Sequence, residues 1–373
     1  MPNTLSSLHY LSDLFRIFPF VFSRHSTASP TFVDIELSNK CNLQCKFCWF
    51  HGENGVGNQY KDSELTTQEV FLLINQLNQF EPTIYIGGSE PFIRKDFLSI
   101  LGYIKKHKLN VAFTTNGTLI NTPINNELVS LAIDNVTFSL DGDEKAHDEI
   151  RGKGVFQKVV NNIKQLGEAR KINNSNKPVI TVNITLNPLT VGQIEKTIHT
   201  IREATQNNVN FYRLHHLWFI TQRELREHQK RTAKHLGCRA AGAASHLLNE
   251  FENIDFSDLS NELSNLNNSA EIIFFPHLHA QDLKRYYAES IPIRYRCIAP
   301  FHGAIIKPNG DMVFCPDEWI DDYILGNIKD DSFLNIWKNK KARHFRSTML
   351  RHGVFPSCKR CSWMYSSRMY SFT

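Results

Sequence analysis

Three cysteines, Cys41, Cys45 and Cys48, fall within the stretch CNLQCKFCWF. Thiolates this close together bind soft metals. Structural zinc closes a shell of four ligands, and no fourth Cys or His stands nearby at the usual spacing, since His51 follows too tightly. An iron-sulfur cubane takes one thiolate per iron, so three thiolates leave one iron open to a small molecule. A second group lies late in the chain: Cys297, Cys315 with Gly310 ahead of it, and the pair Cys358 and Cys361. Four thiolates can complete a closed site, either an iron-sulfur cluster or an all-cysteine zinc. Cys238 belongs to neither group. A lone cysteine among small residues reads as a buried filler.

The rest of the composition is that of an ordinary globular chain. Its 373 residues are 41% hydrophobic, and 42 basic against 37 acidic side chains leave a net charge of +5. That balance is too weak to argue for nucleic acid, and none is expected as a partner. The most apolar early stretch, Leu14 to Phe22, is broken by Arg16 and Pro19, is too short to span a bilayer and lacks a cleavage site after it. The expectation is a cytoplasmic protein with no transmembrane segment, peripheral membrane contact by the Phe-rich arm being the alternative. In a reducing compartment, clustered thiols hold metal or do redox work rather than form staples.

Elements that could position these residues follow from periodicity. Short β-branched runs at Phe32 to Leu37, Thr83 to Ile86, Val111 to Thr114, Val136 to Leu140, Ile180 to Thr185 and Phe211 to Leu214 alternate with helical patterns. The helices are expected over Thr66 to Phe80, Phe97 to Lys106, Ile124 to Ala132, Phe156 to Ala169 and Val191 to Ala204, the first opening with a capping box of Thr66 and Glu69. Six such units predict an α/β fold, a partial (β/α)6 TIM-like barrel, followed by a small C-terminal domain that carries the second cysteine group. Two further helices are expected, at Thr221 to His235 and Ala240 to Glu252, and a hairpin around Pro308, Asn309 and Gly310. The basic run from Lys338 to Arg351 reads as a solvated helix face. The chain is thus divided into an arm (1–31), a core barrel (32–215), a helical bridge (216–290) and a cluster domain (291–373).

Cys41, Cys45 and Cys48 with Phe47 before the last cysteine resemble the signature of the radical S-adenosylmethionine (SAM) enzymes. The resemblance extends to Gly87, Gly88, Glu90 and Pro91, similar to the family's G-G-E-P turn, with Ser89 where glycine is usual immediately before the glutamate. It continues through Thr115 and Asn116, Ser139 and Asp141, Arg151 and Asn183. It implies a [4Fe-4S] cluster on the three cysteines, with SAM chelating its free iron and Phe47 backing the adenine. It further implies a turn at Gly87 to Pro91 open to the SAM ammonium, Arg151 as carboxylate partner and Asn183 as a ribose contact, with Ser139 also on the cofactor. The implied chemistry is reductive cleavage of SAM to a 5'-deoxyadenosyl radical that takes hydrogen from an unactivated C–H bond. Cys297, Cys315, Cys358 and Cys361 resemble the opening half of the SPASM extension, or the shorter twitch domain, and imply a second, auxiliary [4Fe-4S] cluster, with zinc as the competing occupant. Relatives of this kind oxidise, crosslink or epimerise peptides, sugars and aminocyclitols. The short arm before the first strand points toward a small carbohydrate-like or natural-product substrate, short peptides remaining open, and an electron donor such as flavodoxin or ferredoxin is expected. Cys238 is the candidate hydrogen donor for an epimerase. His215 and His216 are candidate acids or bases after the sixth strand, and His277 and His279 form an ambiguous pair. The reading from another class is a non-catalytic metal-cluster or zinc scaffold for partner binding.

Overall fold

The computed structural model describes residues 17–23, 27–53, 55–57, 64–248, 256–266, 269–276, 278, 283, 286–287, 297–361 and 363–364. His277 and His279 lie outside them. The chain runs β1 (Phe32–Ile35), α1 (Thr67–Leu77), β2 (Thr83–Ile86), α2 (Phe97–Lys106), β3 (Val111–Thr115), α3 (Thr122–Ser130), β4 (Asn135–Ser139), α4 (Glu144–Arg151), α5 (Val155–Ile172) and β5 (Val179–Leu186). It continues with α6 (Ile194–Ala204), β6 (Phe211–His216), α7 (Gln222–Leu236), α8 (Phe256–Leu266), β7 (Ile272–Phe275), α9 (Ala299–His302), β8 (Gly303–Ile306), β9 (Asp311–Val313), β10 (Gly326–Asn327), α10 (Phe333–Lys338) and α11 (Lys340–His352).

Among the described residues, ten strands form one sheet in the order β10-β9-β8-β1-β2-β3-β4-β5-β6-β7. Every pairing from β8 through β1 to β7 is parallel, and only the β8-β9 and β9-β10 pairings are antiparallel. The mixed α/β fold expected from the six βα units is therefore present, and it is wider than six strands. β7 comes from the stretch read as a helical bridge and extends the sheet beyond β6. β8, the first strand of the hairpin, lies against β1 with Phe32 opposite Gly303 and Asp34 opposite Ile305. The hairpin turn itself closes through the Gly310 N–H on the Lys307 carbonyl at 2.8 Å.

Strand alternation decides what faces the helices. Val33, Ile35, Ile84, Ile86, Val136, Phe138, Ile180, Val182, Ile184 and Leu214 are fully buried against the helical layer. Opposing them, α1 buries Val70, Leu73, Ile74 and Leu77, each contributing about 1.5–3 kcal/mol. The intervening strand residues face the concave side and are polar: Asp34, Tyr85, Thr114, Thr137, Asn183, Arg213 and His215. Their contacts confirm the common face, with the Tyr85 hydroxyl 2.5 Å from Thr114 Oγ1 and Asn135 Nδ2 donating to Thr181 Oγ1 at 2.9 Å.

Three expectations are corrected, and one element lies outside them. Ala240 to Glu252 is not an α-helix where described: Ala240 sits at φ 49° and a 3-10 turn covers Ala241–His246. His215 and His216 do not follow the sixth strand but end it, and they point to opposite faces, His216 bonding the Tyr287 hydroxyl through Nδ1 at 2.7 Å. The helix Glu144–Arg151 was not foreseen. The basic run is not wholly solvated: Arg346 is fully buried, donating to the Pro300 and Trp337 carbonyls at 2.7 Å and lying 4.1 Å from the Trp337 ring centroid.

Candidate metal and cofactor centre

The first cysteine loop leaves the C-terminal end of β1, where parallel sheets of this kind place their chemistry. Its shape is held by backbone bonds, Cys48 N–H to the Cys45 carbonyl at 3.0 Å and Lys46 N–H to the Ile150 carbonyl at 2.9 Å. The sulfurs collect polar contacts from the loop itself and from the ends of β3 and α4. Leu43 N–H approaches Cys41 Sγ at 3.4 Å, Asn116 Nδ2 the same sulfur at 3.8 Å, His51 N–H Cys48 Sγ at 3.2 Å, and an Arg151 guanidinium nitrogen Cys45 Sγ at 3.7 Å. Phe47, partly buried, packs against the core beside them.

The turn after β2 reaches the same place. The Glu90 N–H bonds the Lys40 carbonyl at 3.2 Å. Its buried carboxylate accepts from Thr115 Oγ1 at 2.9 Å, Asn116 N–H at 2.7 Å and Phe92 N–H at 3.2 Å, so Glu90 locks the β2 turn to the end of β3. Gly88 has φ 83°, a conformation that favours glycine, and a Cβ on Gly87 would stand 2.9 Å from Asp34 Oδ1, so a side chain there would displace the Asp34 carboxylate. Pro91 opens the short 3-10 turn that follows. Ser89 has a partner: its Oγ lies 2.9 Å from His51 Nε2, tying this turn to the cysteine loop.

From β4 and α4 comes a buried ion pair, Arg151 Nε to Asp141 Oδ2 at 2.7 Å. Burial opposes the charge on Asp141, but the Arg151 guanidinium, the His147 ring and the Thr185 N–H hold its carboxyl below the usual range. Arg151 is held charged against burial by Asp141 and then by the Cys45 sulfur. Ser139, at the end of β4, is buried and in register with Asn183 on β5.

The second group is gathered by different elements. Cys358 and Cys361 are buried, the Cys361 N–H bonding the Cys358 carbonyl at 3.1 Å. Between them, Lys359 and Arg360 close on Glu224 of α7, the Arg360 nitrogen lying 2.6 Å from its Oε2. Burial first, and then the fields of Cys358, Cys297 and Cys361, push the Cys315 thiol well up. Burial likewise pushes Cys45 of the first group up to about 11 and Cys358 up to about 11. Buried thiols that raise one another in this way are ionised by a bound cation, the donor chemistry of a metal or iron-sulfur site. Cys238 is buried in the apolar cluster, pushed up to about 12 by burial and the Asp322 carboxylate, and its field reaches Cys315 of the second group.

Sequence reasoning missed the charged lining of the concave face. Asp34 accepts the Gly87 N–H at 3.1 Å and is pushed well up by burial and Glu36. Lys307 pairs with Glu36 at 3.1 Å and with Glu318. Asp317 is pushed up to about 8 by burial and then Glu36. The only signal was the strict alternation in FVDIEL and FYRLHH, which reads equally as a strand with one face in solvent.

Comparison with known proteins fits this geometry. Residues 35–201 match the radical SAM superfamily, and residues 297–362 match the SPASM iron-sulfur cluster-binding domain. The Fe-coproporphyrin III synthase of Methanosarcina barkeri is 23% identical over 364 residues, spanning 88% of this chain and 79% of that protein. The mycofactocin maturase MftC of Mycolicibacterium smegmatis is 32% identical over 143 residues, 38% of this chain and 35% of its own length. The crystal structure of Streptococcus suis SuiB bound to its precursor peptide SuiA superposes with a TM-score of 0.63 at 16% identity, covering 93% of this chain and 73% of that one. A radical SAM domain implies a [4Fe-4S] cluster and SAM, and a SPASM domain implies auxiliary iron-sulfur clusters. With both matches falling on the two cysteine groups, the chain carries a radical SAM domain followed by a SPASM iron-sulfur cluster-binding domain.

Proposed function

We propose that this protein is a radical SAM enzyme that takes hydrogen from a small-molecule or peptide substrate, carbohydrate-like and natural-product substrates included, with oxidation, crosslinking or epimerisation as the outcome. The observation that carries the reading is the convergence on one loop of Cys41, Cys45 and Cys48 with Asn116, Arg151 and the Gly87–Pro91 turn. Three thiols there would hold one [4Fe-4S] cluster, and Cys297, Cys315, Cys358 and Cys361 a second. When bound, the first cluster and SAM supply reductive cleavage of the sulfonium and a radical able to abstract hydrogen.

The chain's own residues bind and orient. Arg151, fixed by Asp141, offers a cation for the SAM carboxylate; Gly87, Gly88, Glu90 and Pro91 present an open turn to its ammonium. Phe47 backs the adenine, and Ser139 and Asn183 take the ribose side. Electrons would come from a flavodoxin or ferredoxin. The similarity to MftC, a maturase, and to SuiB, whose structure holds a precursor peptide, supports a peptide among the substrates. We assign residues 1–31, 32–215, 216–290 and 291–373 to arm, core, bridge and cluster domain. Cys238 is the proposed hydrogen donor for epimerisation: Cys238→Ala would then stall product formation while SAM cleavage continued. The test of the main reading is anaerobic incubation of reconstituted protein with SAM and dithionite. The parent is expected to form 5'-deoxyadenosine and Cys45→Ala none; a parent that forms none is the scaffold.

A further inference from the structure

Three arginines inside this protein close on carboxylates, Arg94 on Asp96 at 2.6 Å, Arg151 on Asp141 at 2.7 Å and Arg360 on Glu224 at 2.6 Å, and Arg346 spends its guanidinium on the Pro300 and Trp337 carbonyls. Arg213 differs. It stands at the centre of β6 on the concave face, in register with Asn183 of β5 and Ile273 of β7. Its guanidinium lies 5.6 Å from the Phe275 ring centroid and beside the Tyr85 hydroxyl. Among the described residues it has no carboxylate within ion-pair distance. A guanidinium partly withdrawn from water, with a ring face and a phenol beside it and still open on the concave side, is a ready seat for an anion.

The neighbourhood limits which anion fits. Its strand neighbour His215 stacks on Phe275 at 5.0 Å and is kept neutral by burial, and then by Arg213, so Arg213 is the sole cation on this wall among the described residues. Lys307, on the other side of the chamber, is already engaged by Glu36 and Glu318. A single planar fork matches one carboxylate; a dianionic phosphate would draw on more cations. The opposite wall carries Asp34, which is buried, accepts one backbone N–H and has no cation at ion-pair distance among the described residues. That wall, too, offers no uncommitted cation among the described residues, which leaves Arg213 to take an anionic group.

We propose that Arg213 seats a carboxylate of the substrate, with Phe275 and Tyr85 fixing the plane of the guanidinium, so that the substrate class is a carboxylate-bearing molecule. This rests on the concave face being the substrate chamber of the radical SAM reaction proposed above. The partial exposure of Tyr85, Asn183, Arg213 and His215, against the full burial of the residues alternating with them, is what an accessible chamber requires.

The experiment uses full-length, anaerobically reconstituted protein with SAM present and two probes, glycyl-phenylalanine and glycyl-phenylalaninamide, titrated calorimetrically. In the parent the free acid binds on the order of tenfold tighter than the amide. Arg213→Gln abolishes that preference with iron content and circular dichroism unchanged, and Arg213→Lys, which keeps the charge but not the fork, retains part of it. Where Arg213→Gln fails to fold, the Lys variant alone decides, an undiminished preference being contrary. Equal binding of acid and amide by the parent, absence of binding by both, or a preference that survives Arg213→Gln overturns the proposal. 5'-Deoxyadenosine formation by the parent is read separately. A carboxylate preference without it sinks the radical reading and leaves the seat standing; the reverse result does the opposite.

Discussion

Arg94 shows how one side chain can position a cysteine loop. Its guanidinium donates to the Leu37 carbonyl at 3.1 Å and the Leu65 carbonyl at 2.8 Å, bracing the chain where it leaves β1, and Asp96 holds it in place. The Arg94 hydrogen bonds, against partial burial and with help from Thr67, depress the Asp96 carboxyl to about 2. Since that lies below the unfolded value of about 3.9, the pair's contribution is fully present above about pH 4 and is lost as the pH falls through about 2. Urea unfolding across pH 2 to 5 should show this slope in the parent and a shallower one in Arg94→Ala; identical slopes contradict the assignment. Gly88, at φ 83°, makes a second case. Gly88→Ala should cost about 1–2 kcal/mol in thermal or urea unfolding, and a neutral effect would mean that the turn relaxes freely. At this scale the two cysteine groups were legible in the sequence because spacing marks them, whereas the Gly87–Pro91 turn, Ser139, Arg151 and Asn183 stand out only through the family resemblance. Asp34, Arg213 and Asp317 were not, because alternation tells which residues share a face and not whether that face looks into solvent or into a chamber.

Among elements, α7 has the clearest task. Its Glu224, 7% exposed, takes both Lys359 and Arg360 from the turn between Cys358 and Cys361, and so fixes the second cysteine pair to the bridge. Removing one partner leaves buried charge uncompensated, so Glu224→Ala should destabilise by about 3–5 kcal/mol, seen as a lower unfolding midpoint and a weaker hold on metal at the second site. A loss below about 1 kcal/mol would mark the pair as solvent-screened. Helices with strong periodicity were read well: Phe97–Lys106 appears with those bounds, and the Thr66–Glu69 capping box forms. The helix Glu144–Arg151 escaped because it is short and charged, burying only His147 and Ile150. Ala240 to Glu252 misled through its alanines, whose propensity is overridden where Ala240 takes a left-handed conformation and Gly242 packs against Glu318 and Asp321.

For the whole molecule, the decisive contact joins the two ends of the chain. β8, next to the second cysteine group, pairs with β1, next to the first, and the bonds continue past the strand ends, Glu36 N–H to the Ile306 carbonyl at 2.9 Å and Thr31 N–H to the His302 carbonyl at 2.8 Å. Both halves of the sheet therefore share one core. Hydrogen exchange should find the Glu36 amide opening only with global unfolding; early exchange would show that the C-terminal part detaches first. The parallel sheet was legible from alternating strand and helix patterns. Its extension by β7 and β8 was not, since strands of four residues carry too little pattern to reveal long-range partners. Among the described residues no helix is long and apolar enough to cross a membrane.

The account stands on two separate iron-sulfur sites. Iron, sulfide and zinc per chain, measured after anaerobic reconstitution of the parent, Cys45→Ala and Cys358→Ala, test this most directly. About eight irons in the parent, with about four lost in each variant, is the predicted result. About four irons with one zinc, and a Cys358→Ala variant that loses only the zinc, would contradict it at the second site.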